Sequence, residues 1–219
     1  MPRVSGKTFT YIYRKGVAYF LHLTPAGNHP ARYVMNRRSD KALSTLPPGY
    51  EIVENPNGRV SLQAIKPRLI TTAEEALANE RLSALGLADY CVEVKGVNLI
   101  IHEPHGPSEK DLALMDPPGS SSDEMVLIRK YAGKRAAEAA TQAARRHWEE
   151  EKKRIHREWM WYDPMLRFRL SDKTDRLFTI ARMCSRGVSM WLDLDELPLA
   201  DALDRYLPHL GKDSFFDLI

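Results

Sequence analysis

A chain of 219 residues with 43% apolar content is long enough to bury a core, is not a disordered protein, and suits one large domain or two small ones. No apolar run approaches the roughly 18 to 20 residues that span a bilayer, and the opening residues lack the apolar centre of a secretory signal, so a cytoplasmic protein is expected. The net charge of +3 hides blocks of alternating sign. Residues 1–70 carry 11 basic and 3 acidic side chains, 71–124 carry 3 and 11, 125–161 carry 10 and 5, and 162–219 carry 8 and 10. Either these blocks face one another within the fold, or the basic head is a surface for a polyanion. Cys91 and Cys184 are too few for a disulfide framework or a cysteine zinc site, and each sits in an apolar run that suits a buried free thiol.

The first 70 residues read as strands. Residues 7–14, KTFTYIYR, alternate with a two-residue period that puts Phe9, Tyr11 and Tyr13 on one side. Residues 17–24 and 31–35 follow as a second and third strand around a turn at Lys15-Gly16 and a loop over 25–30, which predicts an antiparallel meander. A short helix is expected over 39–46. Residues 50–54 and 59–65 are two more strands, joined at Asn55-Pro56-Asn57-Gly58, so residues 1–70 amount to a five-stranded module.

A helix is predicted over 71–85, with Thr71 or Thr72 at its N-cap, Glu74 and Glu75 in its first turn and Gly86 ending it. Residues 90–94 and 98–102 form a hairpin, and residues 104–123, rich in Pro, Gly, Ser and acid, read as a loop or linker. Residues 125–161 are the longest proline-free stretch of strong helix formers. They predict one helix of about 55 Å, with Gly133 as a weak point and Glu149 and Glu150 paired at four-residue spacing with Lys153 and Arg154. Strands over 165–170, 177–183 and 188–194, a helix over 198–206 and an apolar tail over 214–219 complete the chain. The expected fold is α+β. An N-terminal antiparallel β-meander module with a helix and hairpin (1–103) is followed by an acidic loop (104–124) and a long central α-helix (125–161). A C-terminal three-stranded meander with a short helix (162–219) ends it.

Two segments carry a resemblance: PGYEIVENPNGRV at 48–60, and the ending LFTIARMCSRG with YLPHLGKDSFFDLI. They resemble a set of uncharacterised bacterial proteins with a similar N-terminal meander and a similar C-terminus. The resemblance covers about half the chain and implies a bacterial cytosolic protein with no activity attached.

No P-loop, dinucleotide glycine fingerprint, nucleophile elbow or kinase set is present in the sequence. Lys7, Arg14, Lys15, Arg32, Arg37, Arg38 and Lys41 are interleaved with Tyr11, Tyr13, Tyr19 and Tyr33: cations for a phosphate backbone and ring faces for bases. The long helix adds Arg129, Lys130, Lys134, Arg135, Arg145 and Arg146. The expected function is binding rather than catalysis, with nucleic acid as the first partner and no cofactor. The alternative is a protein–protein assembly subunit or dimeric adaptor, using the long helix through Trp148 and Trp159 and the apolar tail through Phe215 and Phe216. A metal-dependent enzyme is the minor alternative. Its ligands would come from His102, Glu103 and His105, read as a polar loop after a strand, or from Asp163, Asp193, Asp195 and Glu196.

Overall fold

The computed structural model describes residues 2–5, 8–24, 32–107, 111, 112, 114, 130, 131, 133–185 and 188–219. Among these residues the protein is α+β, with three α-helices and strands that pair only antiparallel. Two compact units divide the chain: Met1–His105 with Trp161–Ile219, and Gly106–Met160.

The first unit opens with a four-stranded meander, β1 (Pro2–Ser5), β2 (Thr8–Ile12), β3 (Ala18–Thr24) and β4 (Arg32–Asn36), in the order 1-2-3-4. The strand β1 was not expected, because four residues are too few to show a period. The hairpin β5 (Tyr50–Glu54) and β6 (Val60–Ala64) is a separate two-stranded ladder, not two further strands of one sheet. The helix expected over 39–46 does not form. There the Leu43 amide donates to Leu21 O at 2.7 Å and its carbonyl accepts from the Phe9 amide at 2.8 Å, so the segment bonds between β2 and β3 instead of to itself.

Register decides what each face of this meander meets. Tyr11 lies opposite Tyr19, and Leu23 opposite Tyr33, which puts Phe9, Tyr11, Tyr19, Leu21 and Tyr33 on one face. The hairpin covers that face: Tyr50 meets Tyr33 edge-on at 5.4 Å, and the Tyr11 hydroxyl donates to Glu54 at 2.9 Å. At its turn, Gly58 has φ +77°, and a Cβ there would lie 2.6 Å from the Tyr13 ring. Only glycine allows both that backbone and that approach.

The helix α1 (Thr72–Ala84) follows, capped by Thr71. The Thr71 Oγ1 accepts from the Glu74 amide at 3.2 Å while the Thr71 amide donates to the Glu74 carboxylate at 2.7 Å, a reciprocal capping box. Next come β7 (Cys91–Lys95) and β8 (Asn98–His105), the second unit with its helix α2 (Lys134–Trp159), then β9 (Trp161–Asp172), β10 (Leu177–Ser185), β11 (Val188–Pro198) and α3 (Leu199–Tyr206). The strands form one five-stranded sheet in the order 7-8-9-10-11. It is a meander interrupted once, since Gly106–Met160 is inserted between β8 and β9, whose ends pair directly at His105 and Trp161.

Apolar side chains on one face of the sheet, among them Phe168, Phe178 and Ile180, are fully buried with Ala78 and Leu82 of α1 and Leu203 of α3. Each large side chain so buried contributes about 1.5–3 kcal/mol. The hairpin reaches the same sheet through Asn57, whose amide group donates to Tyr162 O at 2.9 Å and accepts from the Tyr162 amide at 2.7 Å.

The inserted unit departs from expectation at its main element. The described helix is α2, 26 residues, not one helix from 125 to 161. Gly133 stands at its N-cap with φ +86°, a conformation no helix interior adopts, so 130–131 and α2 are separate helical pieces. Residues 125–129 lie outside the described set. At the other end Trp161 is the first residue of β9, because pairing with His105 outweighs its place in a helical run.

Candidate nucleic-acid interface

The rings expected to make a platform on the N-terminal meander, and Arg14 and Arg37 among its cations, are engaged within the fold. Tyr13 is buried and meets Tyr19 edge-on at 5.4 Å, and Tyr11, Tyr13 and Tyr33 lie against the hairpin instead of facing solvent. Burial, reinforced by the Glu54 carboxylate, pushes the Tyr11 hydroxyl up to about 12. The Arg14 guanidinium stands 5.4 Å above the Tyr162 ring, donates to Pro56 O and lies 3.5 Å from Glu54. It is a connector between hairpin and sheet. Arg37 stacks over Tyr19 at 5.9 Å, and Lys15 sits in the turn between β2 and β3. Arg32, Arg38 and Lys41 are exposed, whereas Lys7 lies outside the described residues. Glu54 is the residue that sequence reading missed, because nothing local tells that a strand 40 residues away brings a carboxylate to Arg14 and Tyr11.

The helix α2 divides into halves of different electrostatics. From 148 to 159 there are four cations and four carboxylates, and all four carboxylates are paired, while Arg157 donates to Lys153 O at 3.2 Å instead. Lys152 meets Glu149 at 2.7 Å, Lys153 meets Glu150 at 3.3 Å, and Arg154 is held by Glu151 and by Glu158 at 2.9 Å. From 134 to 147 there are four cations, Lys134, Arg135, Arg145 and Arg146, and one carboxylate, Glu138, which approaches Lys134 only to 3.9 Å. All four cations are exposed, and among the described residues Arg135, Arg145 and Arg146 make no ion pair. Lys130, beyond Gly133, lies 5.3 Å from the Tyr131 ring, and Arg129 is outside the described residues. Lys134 and Arg135 also occupy the first turn, at the positive end of the helix dipole, where no acidic side chain offsets them. That placement works against helix stability.

The residues expected to meet a partner separate into two kinds. Phe215 is 1% exposed in the core of the first unit, so the tail closes its own fold. Arg182, itself buried, fixes that tail by donating to Phe216 O at 2.8 Å and Leu218 O at 2.7 Å. Phe216 is 38% exposed, Trp148 is buried and Trp159 is 69% exposed.

The candidate metal ligands of the minor alternative, Glu196 apart, are engaged in pairs. His102 lies in β8, within the expected strand over 98–102, and Glu103 and His105 extend that strand instead of forming a loop, because residues 161–164 supply a paired strand that is remote in sequence. His102 Nε2 meets Glu93 at 3.0 Å, and this interaction holds the Glu93 carboxylate below its ordinary value against the opposing effect of burial. His105 Nε2 lies 3.3 Å from Asp163 and 3.7 Å from Glu103, while the Tyr90 hydroxyl donates to Glu103 at 3.1 Å. Asp195 accepts from Arg205 at 2.7 Å, Asp193 lies 3.8 Å from Arg167, and Glu196 is exposed in β11. Among the described residues no group of three or more His, Cys, Asp or Glu is arranged to hold a metal ion. The Cys91 thiol is pushed up by burial, which outweighs the neighbouring Arg14 guanidinium.

No protein-family model, no curated protein and no solved structure matches the chain. The functional reading therefore rests on its own residues.

Proposed function

We propose that this is a non-enzymatic nucleic-acid-binding protein whose principal contact is the first half of α2, with exposed cations of the N-terminal meander as a second basic surface. The observation that carries the reading is the charge partition along α2. Four exposed cations stand in the half where one carboxylate, 3.9 Å from Lys134, opposes them, while the other half balances four cations with four carboxylates, each of them paired. Among the described residues Arg135, Arg145 and Arg146 are exposed without ion pairs and Lys134 has only a long one, and Lys134 and Arg135 stand against the helix dipole; such cations lower intrinsic helix stability and gain free energy when a polyanion arrives.

The test is fluorescence anisotropy of labelled DNA and RNA titrated with the protein over a range of salt concentrations. Affinity is expected to fall steeply with salt, and Arg135→Ala with Arg145→Ala and Arg146→Ala to reduce the log–log salt slope by about 3, near one for each phosphate that is no longer neutralised. Arg32→Ala with Arg38→Ala reports the meander's share in the same assay. Absence of binding at low salt would refute the proposal.

A second reading has one observation in its favour. The exposed Trp159 at the end of α2 is an unusual free surface ring and suits a protein partner or a second copy of the chain. Solution mass by light scattering at micromolar concentration decides it for self-association: a dimer abolished in Trp159→Ala supports this reading, and a strict monomer removes it.

A further inference from the structure

We infer that the nucleic acid is double-stranded DNA, read in its major groove by α2, with Gln142 and Glu138 as the side chains that face base edges. The inference rests on the nucleic-acid reading above and adds the substrate class and the readout residues.

Three features of α2 carry it. The first is the spacing of the cations. Lys134 and Arg145 are eleven residues apart, as are Arg135 and Arg146, and eleven residues are close to three full turns, so each pair is aligned on one side with a separation of about 16 Å. Two cation clusters at that distance reach the phosphates flanking a groove roughly 12 Å wide.

The second feature is what lies between them. On the helical wheel Glu138 and Gln142, one turn apart, fall inside the arc bounded by the column of Lys134 and Arg145 and the column of Arg135 and Arg146. Both are exposed, and among the described residues Gln142 makes no side-chain hydrogen bond. A glutamine amide bonds the N6 and N7 edge of adenine, and a carboxylate accepts from cytosine N4. The neighbours Ala139 and Ala143 are exposed and short, which keeps the helix thin enough to enter a groove.

The third feature is the absence of rings. No aromatic residue stands between the two cation clusters in the sequence of α2, Tyr11, Tyr13 and Tyr33 of the meander are turned onto the hairpin, and Tyr19 lies between Tyr13 and Arg37. Single-strand recognition depends on stacking faces, and the major groove of A-form RNA is too deep and narrow for side chains to read. Duplex DNA is what a thin basic helix with polar side chains at its centre fits.

The test compares duplex DNA, single-stranded DNA and duplex RNA in one anisotropy series, and selects preferred duplexes from a randomised pool with the wild type, Gln142→Ala and Glu138→Ala. Circular dichroism checks that the exposed alanine variants keep their helix. Duplex DNA is expected to bind at least about tenfold more tightly than the other two, and Gln142→Ala to cost roughly five- to a hundredfold on the selected duplex, erasing preference at one base pair. Equal or tighter binding of single strands or duplex RNA overturns the duplex inference and leaves the broader nucleic-acid reading standing. A base preference unchanged in both variants overturns the assignment of Gln142 and Glu138. No binding to any of the three overturns both readings together.

Discussion

At Glu93 a carboxylate is coupled to a buried imidazole, and the pair gives the fold a pH dependence whose sign is fixed. Glu93 titrates below its ordinary value in the folded chain, because the His102 interaction outweighs burial. A group depressed on folding stabilises above its unfolded pKa and loses that contribution as pH falls through the folded one. Glu74, opposed by burial but held down by Arg176 and Thr71, has the same sign. Urea midpoints are therefore expected to drop below about pH 4, and Glu93→Gln to lower the midpoint at neutral pH while making that acid limb shallower. An acid limb identical in the variant would show that the pair adds nothing to stability. The sequence does not display the pair. The hairpin over 90–94 and 98–102 holds both residues, but only the β7–β8 register, with Cys91 opposite His102 and Glu93 opposite Ile100, shows that His102 and Glu93 share a face. The tyrosines teach the same lesson from the other side. Period-two alternation assigns Tyr11 and Tyr13 to one face, but which face is covered depends on a hairpin 40 residues away.

Among the elements, those whose signals are local were legible, and those set by remote pairing were not. The capping box at Thr71, the hairpin around Gly58 and the short closing helix α3 lie where sequence places them, because caps, turn glycines and amphipathic spacing act within a few residues. Helix propensity over 125–161 misreads both ends of α2: Gly133 takes a left-handed conformation, and Trp161 is claimed by His105. The basic residues of α2 were visible as composition, whereas the pairing of its second half, which isolates the cations of the first, depends on side-chain geometry. The hairpin β5–β6 offers the clearest element-scale test. Gly58→Ala adds a methyl group against the Tyr13 ring at a positive φ, and a loss of roughly 2 kcal/mol in chemical denaturation is expected. The Tyr13 ring cannot withdraw without uncovering the face that the hairpin seals. A midpoint unchanged from wild type would mean that the turn moves freely.

On the scale of the whole molecule, one sheet is assembled from both sides of an insertion, and the charge blocks of the sequence sort accordingly. Of the acidic 71–124 block, Glu74 pairs with the later Arg176 and Glu75 with the earlier Arg68, while the block's own Arg81 pairs with Asp204 at 2.9 Å. The block is therefore partly occupied inside the first unit. Because β8 and β9 are hydrogen-bonded up to His105 and Trp161, the two points where Gly106–Met160 leaves and rejoins the sheet are neighbours across a strand pair. To the sheet, those 55 residues are the loop of a β-hairpin. Loop length enters stability only logarithmically, so a two-residue Asn-Gly turn in place of the insertion should leave a cooperatively folding sheet whose melting temperature is little changed or higher. DNA binding, if it resides on α2, should vanish from that shortened chain and reappear when Gly106–Met160 is spliced into the hairpin of an unrelated scaffold. The reader of the duplex would then be a transferable cassette, free to be exchanged for another without redesigning the body that carries it.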